Sequence, residues 1–258
     1  MFVARTTPYG LRPVRVSLWG APQTGRVSDG VQAPVAARIR GAAGLGLVAP
    51  PSVPLVPATQ LADSAWTAQA VAARFVRTAD RRVAATVWWY SVSAVLVTPV
   101  LAGLATGVPL SARLADTSLA FRPDGLPVAA VSSAPGSDAA AELRLSLAAV
   151  VPAVADAGRM GQRPLWAIAT DSIANQLLAL GRALGEVPRV TALAGPLADT
   201  IGAPLPAPRY VDVAGARFTR RASCCLMVEL PGGSLCTSCP RRPPDERQAL
   251  LEQAARWF

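Results

Sequence analysis

Histidine is missing from all 258 residues, and so is lysine: every one of the 25 basic side chains is an arginine. The lack of imidazole excludes Ser-His-Asp and Cys-His nucleophile systems, zinc sites that need a histidine, haem attachment through CxxCH and Rieske-type clusters. Acidic residues are also few, 16 against the 25 arginines, which leaves a net charge of +9. Such a charge suits nucleic acid, an anionic ligand or an acidic protein. The arginines are scattered without a dense block or a nucleic-acid motif, so no nucleic-acid partner is expected. Apolar residues make up 52% of the chain, ample for a substantial core.

A secretory signal is not expected either, because Arg5, Pro8 and Pro13 interrupt the apolar character of the N-terminus. The expected location is the cytoplasm, where cysteines are reduced or ligating more often than they are disulfide-bonded. One long run, residues 83–112, carries no charge. Its length admits a membrane span. Pro99, Gly103 and Gly107 and the arginines at both ends, Arg81, Arg82 and Arg113, favour a buried core helix broken near Pro99. No transmembrane span is expected, while peripheral association with a membrane stays open.

Residues 1–58 are rich in Arg, Gly, Pro and Ala without sustained periodicity and read as a partly irregular extension with one or two edge strands. The "GAAGLGL" at 41–47 lacks the glycine order and the following acidic residue of a dinucleotide site. Asp63 or Ser64 caps a helix that runs to about Thr78. Two short strands flank Pro123-Asp124-Gly125, and a helix from Ser137 is kinked or ended near Pro152 and stopped by Gly158. Another helix spans 164 to about 184, and a hairpin turns at Ala214-Gly215. Trp66, Trp88, Trp89, Tyr90 and Trp166 read as core packing, and Asp171 and Asn175 as surface or capping groups.

All four cysteines fall within "CCLMVELPGGSLCTSC", residues 224–239, in the order C-C-x10-C-x2-C. Four soft ligands suit zinc or an iron-sulfur cluster. The LPGG at 230–233 is expected to pivot a hairpin that returns Cys236 and Cys239 towards Cys224 and Cys225. Adjacent side chains of a regular strand point to opposite faces. The backbone therefore bends at the vicinal pair, or the ligated object is larger than one ion. Structural zinc sites space their cysteines by two to four residues, as Cys236 and Cys239 do and Cys224 and Cys225 do not. The spacing favours a two-iron cluster, with zinc or redox-active disulfides as the alternatives.

"RRASCCLMVELPGGSLCTSCPRR", residues 220–242, resembles the C-terminal motif of the FhuF-type ferric-siderophore reductases. The likeness covers the vicinal pair, both spacings, the preceding arginines, the glycine-bearing turn and Pro240. "RRVAATVWWYSVSAVLVTPVLAGL" is more weakly similar to a helical segment of that family. The resemblance implies a 2Fe-2S cluster held by Cys224, Cys225, Cys236 and Cys239. It further implies an α+β fold: a predominantly helical body with short antiparallel strands over 59–219, and a small C-terminal iron-sulfur hairpin module with a terminal helix over 220–258. The implied activity is one-electron reduction of siderophore-bound Fe(III), releasing Fe(II) for iron acquisition. With no nicotinamide or flavin motif, the electron donor is expected to be a separate ferredoxin or flavoprotein. Arg220, Arg221, Arg241 and Arg242 bracket the motif and could tune the cluster or meet that donor. The alternatives are a non-catalytic four-cysteine zinc module for interactions, or a 2Fe-2S carrier or sensor without a siderophore site.

Overall fold

A computed structural model describes residues 30–76 and 78–258. The first 29 residues, with the N-terminal stretch on which the absence of a secretory signal was argued, lie outside the described residues. In chain order the elements are α1 (Ala33–Ala37), β1 (Leu55–Pro57), α2 (Ser64–Arg74), α3 (Arg81–Thr106), β2 (Thr117–Phe121), β3 (Pro127–Ser132) and α4 (Ala139–Gly158). These are followed by α5 (Arg163–Leu184), α6 (Val187–Thr191), α7 (Ala194–Ile201), β4 (Tyr210–Val213), β5 (Ala216–Thr219) and α8 (Pro244–Ala255). The architecture is α+β, mostly helical, with two small antiparallel sheets.

The charge-free run becomes α3, the axis of the molecule. Its first turn is satisfied by the Asp80 carboxylate, which accepts from the amides of Arg82 and Val83, and Gly107 ends it in a left-handed conformation at φ +72°. Trp88, Trp89, Val97 and Leu101 are fully buried against Leu147, Val150 and Val154 of α4 and Ile168, Leu177 and Leu180 of α5. The expected break at Pro99 is absent: the helix continues through it. A proline inside a helix costs about 3 kcal/mol. The neighbours Leu96, Val97, Val100 and Leu101 are each buried, at about 1.5–3 kcal/mol per side chain, so bending the helix out of its socket would cost more than it relieves. The helix is long and apolar enough to span a membrane, yet most of it is buried inside the protein. Likewise, α4 runs unbroken through Pro152.

The remaining expectations map closely. Asp63 caps α2 through the Trp66 amide at 2.8 Å, although the helix ends at Arg74. Strands β2 and β3 pair antiparallel around the predicted turn, where the Gly125 amide reaches the Arg122 carbonyl at 2.8 Å. Strand β1 is the edge of that sheet, in the order β1-β2-β3. The hairpin of β4 and β5 turns at Ala214 and Gly215, both at positive φ. The described part of the 1–58 segment has few regular elements, but Val35, Ile39, Leu47 and Val56 are buried in the main core. A second, small cluster joins Val213, Ala216 and Phe218 of the β4-β5 hairpin to Leu251 and Ala255 of α8. That hairpin thus shares its apolar contacts with the terminal helix.

Candidate metal centre

The site begins with three consecutive buried polar residues of α5. Thr170, Asp171 and Ser172 of α5 are each buried to 1% exposure. Neighbouring positions on an α-helix point about 100° apart, so the three side chains reach three different parts of the fold. The Thr170 hydroxyl donates to the Pro206 carbonyl at 2.8 Å, holding the segment that leads to β4. Ser172 shares a 2.7 Å hydrogen bond with Ser93 of α3. Asp171 faces the cysteine segment, accepting from the amides of Ala222 at 2.7 Å and Ser223 at 3.2 Å.

Asp171 also pairs with Arg221 at 3.4 Å, with both side chains almost wholly removed from solvent. Burial pushes the Asp171 carboxyl up, and the Ala222 amide and the Arg221 guanidinium pull against it without cancelling it. The ring of Tyr90 on α3 lies against the guanidinium, 4.9 Å from its carbon to the ring centre. Arg221 Nη1 then donates to two sulfurs, Cys236 Sγ at 3.3 Å and Cys225 Sγ at 3.7 Å. Desolvation works against the charged guanidinium, but Tyr90, Cys225 and Asp171 outweigh it and raise its pKa. A buried cation thereby stands between a buried carboxylate and two thiols.

The cysteine segment folds back without a β-hairpin. Leu226 takes a left-handed conformation at φ +61°, a 3-10 turn covers Met227–Glu229, and Gly232 sits at φ +75°. At Gly233 a β-carbon would stand 2.0 Å from the Met227 carbonyl oxygen, a separation no side chain tolerates. The expected strand pair around LPGG is corrected to this tight coil, because its backbone bends at Leu226 and packs on itself at Gly233. The outcome sought from a hairpin is nonetheless reached: Cys224 Sγ and Cys239 Sγ lie 3.9 Å apart. Burial is the main influence that raises the Cys224 thiol.

All four cysteines are free. Sulfur ligands at about 2.3 Å from a tetrahedral ion stand about 3.8 Å from one another, a separation close to the 3.9 Å between Cys224 and Cys239. Cys225 and Cys236 both accept from one Arg221 nitrogen. Among the described residues no three or more His, Cys, Asp or Glu side chains converge tightly enough for a single ion. The vicinal pair Cys224-Cys225 fits a four-cysteine two-iron cluster better than one zinc ion.

The other bracketing arginines have separate duties. Arg242 donates to the carbonyls of Cys236 at 2.9 Å and Leu235 at 2.6 Å, and pairs with Glu246, so it clamps the second half of the motif to α8. Arg241 pairs with Glu229 across the coil. Arg220 is exposed, its backbone amide held by the Arg209 carbonyl. Beside the thiols, a cavity of about 240 Å³ lies between α3, α5 and the cysteine segment; its lining includes Tyr90, Asn175, Gln176, Arg221 and Cys236. Two sequence expectations change here. Asp171 is a buried partner of Arg221 instead of a surface group, and Tyr90 lines the site while Trp88, Trp89 and Trp166 pack in the core. The available signal was a lone carboxylate on the apolar face of α5 with an arginine three residues before the cysteines.

Residues 221–241 match the FhuF 2Fe-2S C-terminal domain. The match contains all four cysteines and Arg221, and the cofactor that this domain names is a 2Fe-2S cluster. No curated protein matches the chain.

Proposed function

We propose that the protein is a cytoplasmic ferric-siderophore reductase, with Cys224, Cys225, Cys236 and Cys239 as the ligands of its cluster. The observation that carries this reading is the set of four free thiols, two of them 3.9 Å apart and the other two sharing one Arg221 nitrogen, within a segment that matches the FhuF 2Fe-2S C-terminal domain. When bound, the cluster supplies single electrons for the conversion of chelated Fe(III) to Fe(II). The lower charge of Fe(II) weakens its hold on hard oxygen donors, so reduction releases the metal.

The protein's own residues set the conditions for that chemistry. Arg221 donates to two ligand sulfurs and places positive charge where the reduced cofactor carries extra negative charge, which favours reduction. Asp171 fixes the guanidinium and, through the Ala222 and Ser223 amides, the entry into the vicinal cysteines. Exposed Cys236 brings one ligand to the surface, whereas Cys225 and Cys239 are buried. A ferredoxin or flavoprotein serves as electron donor, and the excess of arginine over acidic residues suits an acidic surface on it.

Protein purified without oxygen tests the cofactor reading directly. Iron and acid-labile sulfide are expected at about two each per chain, with reddish-brown absorption. Stoichiometric zinc in a colourless protein without sulfide would replace this reading by the four-cysteine interaction module.

A further inference from the structure

The cavity beside Cys236 has the chemistry of a docking site for an oxygen-rich ligand. Helix α3 contributes Tyr90 and Ala94, α5 contributes Asn175 and Gln176, and the motif contributes Arg221 and Cys236. The side-chain amides of Asn175 and Gln176 are half-buried and have no hydrogen-bond partner among the described residues. Ser91, Ser172 and Ser238 add hydroxyls, and no carboxylate lines the space. Asp171, outside the lining, already balances the Arg221 guanidinium, so the donors left for a ligand are the two amides, which suit a surface of electron-rich oxygens.

We propose that this cavity seats the oxygen-ligated face of a hexadentate ferric chelate, with Asn175 and Gln176 as its positioning donors and Cys236 as the ligand sulfur nearest the bound iron. The inference rests on the reductase reading and assigns its acceptor site. At about 240 Å³ the space is smaller than the roughly 300–1,000 Å³ of sites that enclose a drug-sized molecule. It therefore receives one face of the chelate and leaves the rest in solvent, so the oxygens around the iron are recognised and the chelate's outer backbone is not. One electron passes to Fe(III), supplied through the cofactor by the ferredoxin or flavoprotein donor, and Fe(II) leaves for a ferrous acceptor while the freed oxygens take up protons from water.

Gallium(III) has the charge and size of Fe(III) without its one-electron reduction, which separates binding from turnover. The gallium complex of a linear trihydroxamate is titrated into the oxidised holoprotein and followed by calorimetry. Ala94→Trp, which fills the cavity, and Asn175→Leu, which removes a donor without adding bulk, are compared with the parent chain. Saturable binding is expected, weakened about tenfold or more by Ala94→Trp and several-fold by Asn175→Leu. KM for the ferric trihydroxamate should rise in step, with cluster absorption and iron and sulfide content unchanged. If the parent reduces the ferric complex and binds the gallium complex while both variants do so equally well, the chelate docks elsewhere and only this inference fails. If the parent neither binds gallium trihydroxamate nor reduces the ferric complex although its cluster is intact, the reductase reading fails and the docking site falls with it.

Discussion

Replacing Arg221 by glutamine removes the one buried cation that touches two of the thiols, and the structure sets the size of the effect. Nη1 stands 3.3 Å from Cys236 Sγ and 3.7 Å from Cys225 Sγ. With about 6 Å between the guanidinium charge and an electron shared across the sulfurs, and an effective dielectric of about 20, the lost attraction is about 2.8 kcal/mol. For a one-electron couple that lowers the potential by about 120 mV. Asp171 moderates the result. Burial already raises its carboxyl, and loss of Arg221 removes a partner that favoured its charged form. If it takes up a proton, a negative charge about 10 Å away disappears, which returns about 70 mV and leaves a net fall of about 50 mV. The expected shift therefore lies between about 50 and 120 mV downward, larger at high pH where Asp171 is ionised. Arg221→Lys, which keeps the charge, should shift less. A redox titration followed by cluster absorbance measures this, and an unchanged potential in Arg221→Gln with the cluster intact would refute the assignment of Arg221.

Three further outcomes follow from the same contacts. Gly233→Ala drives a methyl group onto the Met227 carbonyl, so cluster occupancy should fall several-fold while far-ultraviolet circular dichroism still reports the helices, whose core lies elsewhere. Cys225→Ser should shift or abolish the cluster's visible spectrum, since a hydroxyl is the poorer ligand; a spectrum identical to the parent's contradicts its assignment. Glu142 is buried in α4; burial pushes its carboxyl up, but the Ala112 and Ser137 amides, the Ser137 hydroxyl and Arg113 together hold it below the usual range. A depressed carboxylate stabilises the fold above its unfolded pKa of 4.5 and loses that contribution as pH falls through its lower native value. Urea denaturation should thus show Glu142→Gln less stable by about 1.5–3 kcal/mol at pH 7, with the deficit shrinking below pH 4.5; a deficit constant down to acid pH contradicts the role.

Local chemistry made several elements legible. Asp63 ahead of an amphipathic run and the Pro-Asp-Gly and Ala-Gly turns act over a few residues, and each appears at its expected place, whereas α4 includes Gly158 and is capped by Arg159 in a left-handed conformation. Pro99 and Pro152 were misleading because their local cost is offset by burial on neighbouring helices that no short window contains. Asp171 reads as a surface group in the sequence because its partner is 50 residues away. The same distance concealed the cavity, which α3, α5 and the motif complete only when packed together. Arg221 and Arg242, equal in the sequence as flanking arginines, were separated by what each one touches: thiols for the first, backbone carbonyls and an acidic side chain for the second.

Reductase activity requires that one electron held by the four-cysteine site reach chelated Fe(III). Chemically reduced, donor-free protein mixed without oxygen with excess ferric trihydroxamate and a ferrous-specific chromophoric chelator measures it in a single stopped-flow trace. One Fe(II) is expected to be trapped for each cluster reoxidised, both signals rising together, at a rate that saturates with the ferric complex. A cluster that stays reduced in that mixture, or reoxidises without trapped Fe(II), contradicts the reductase reading.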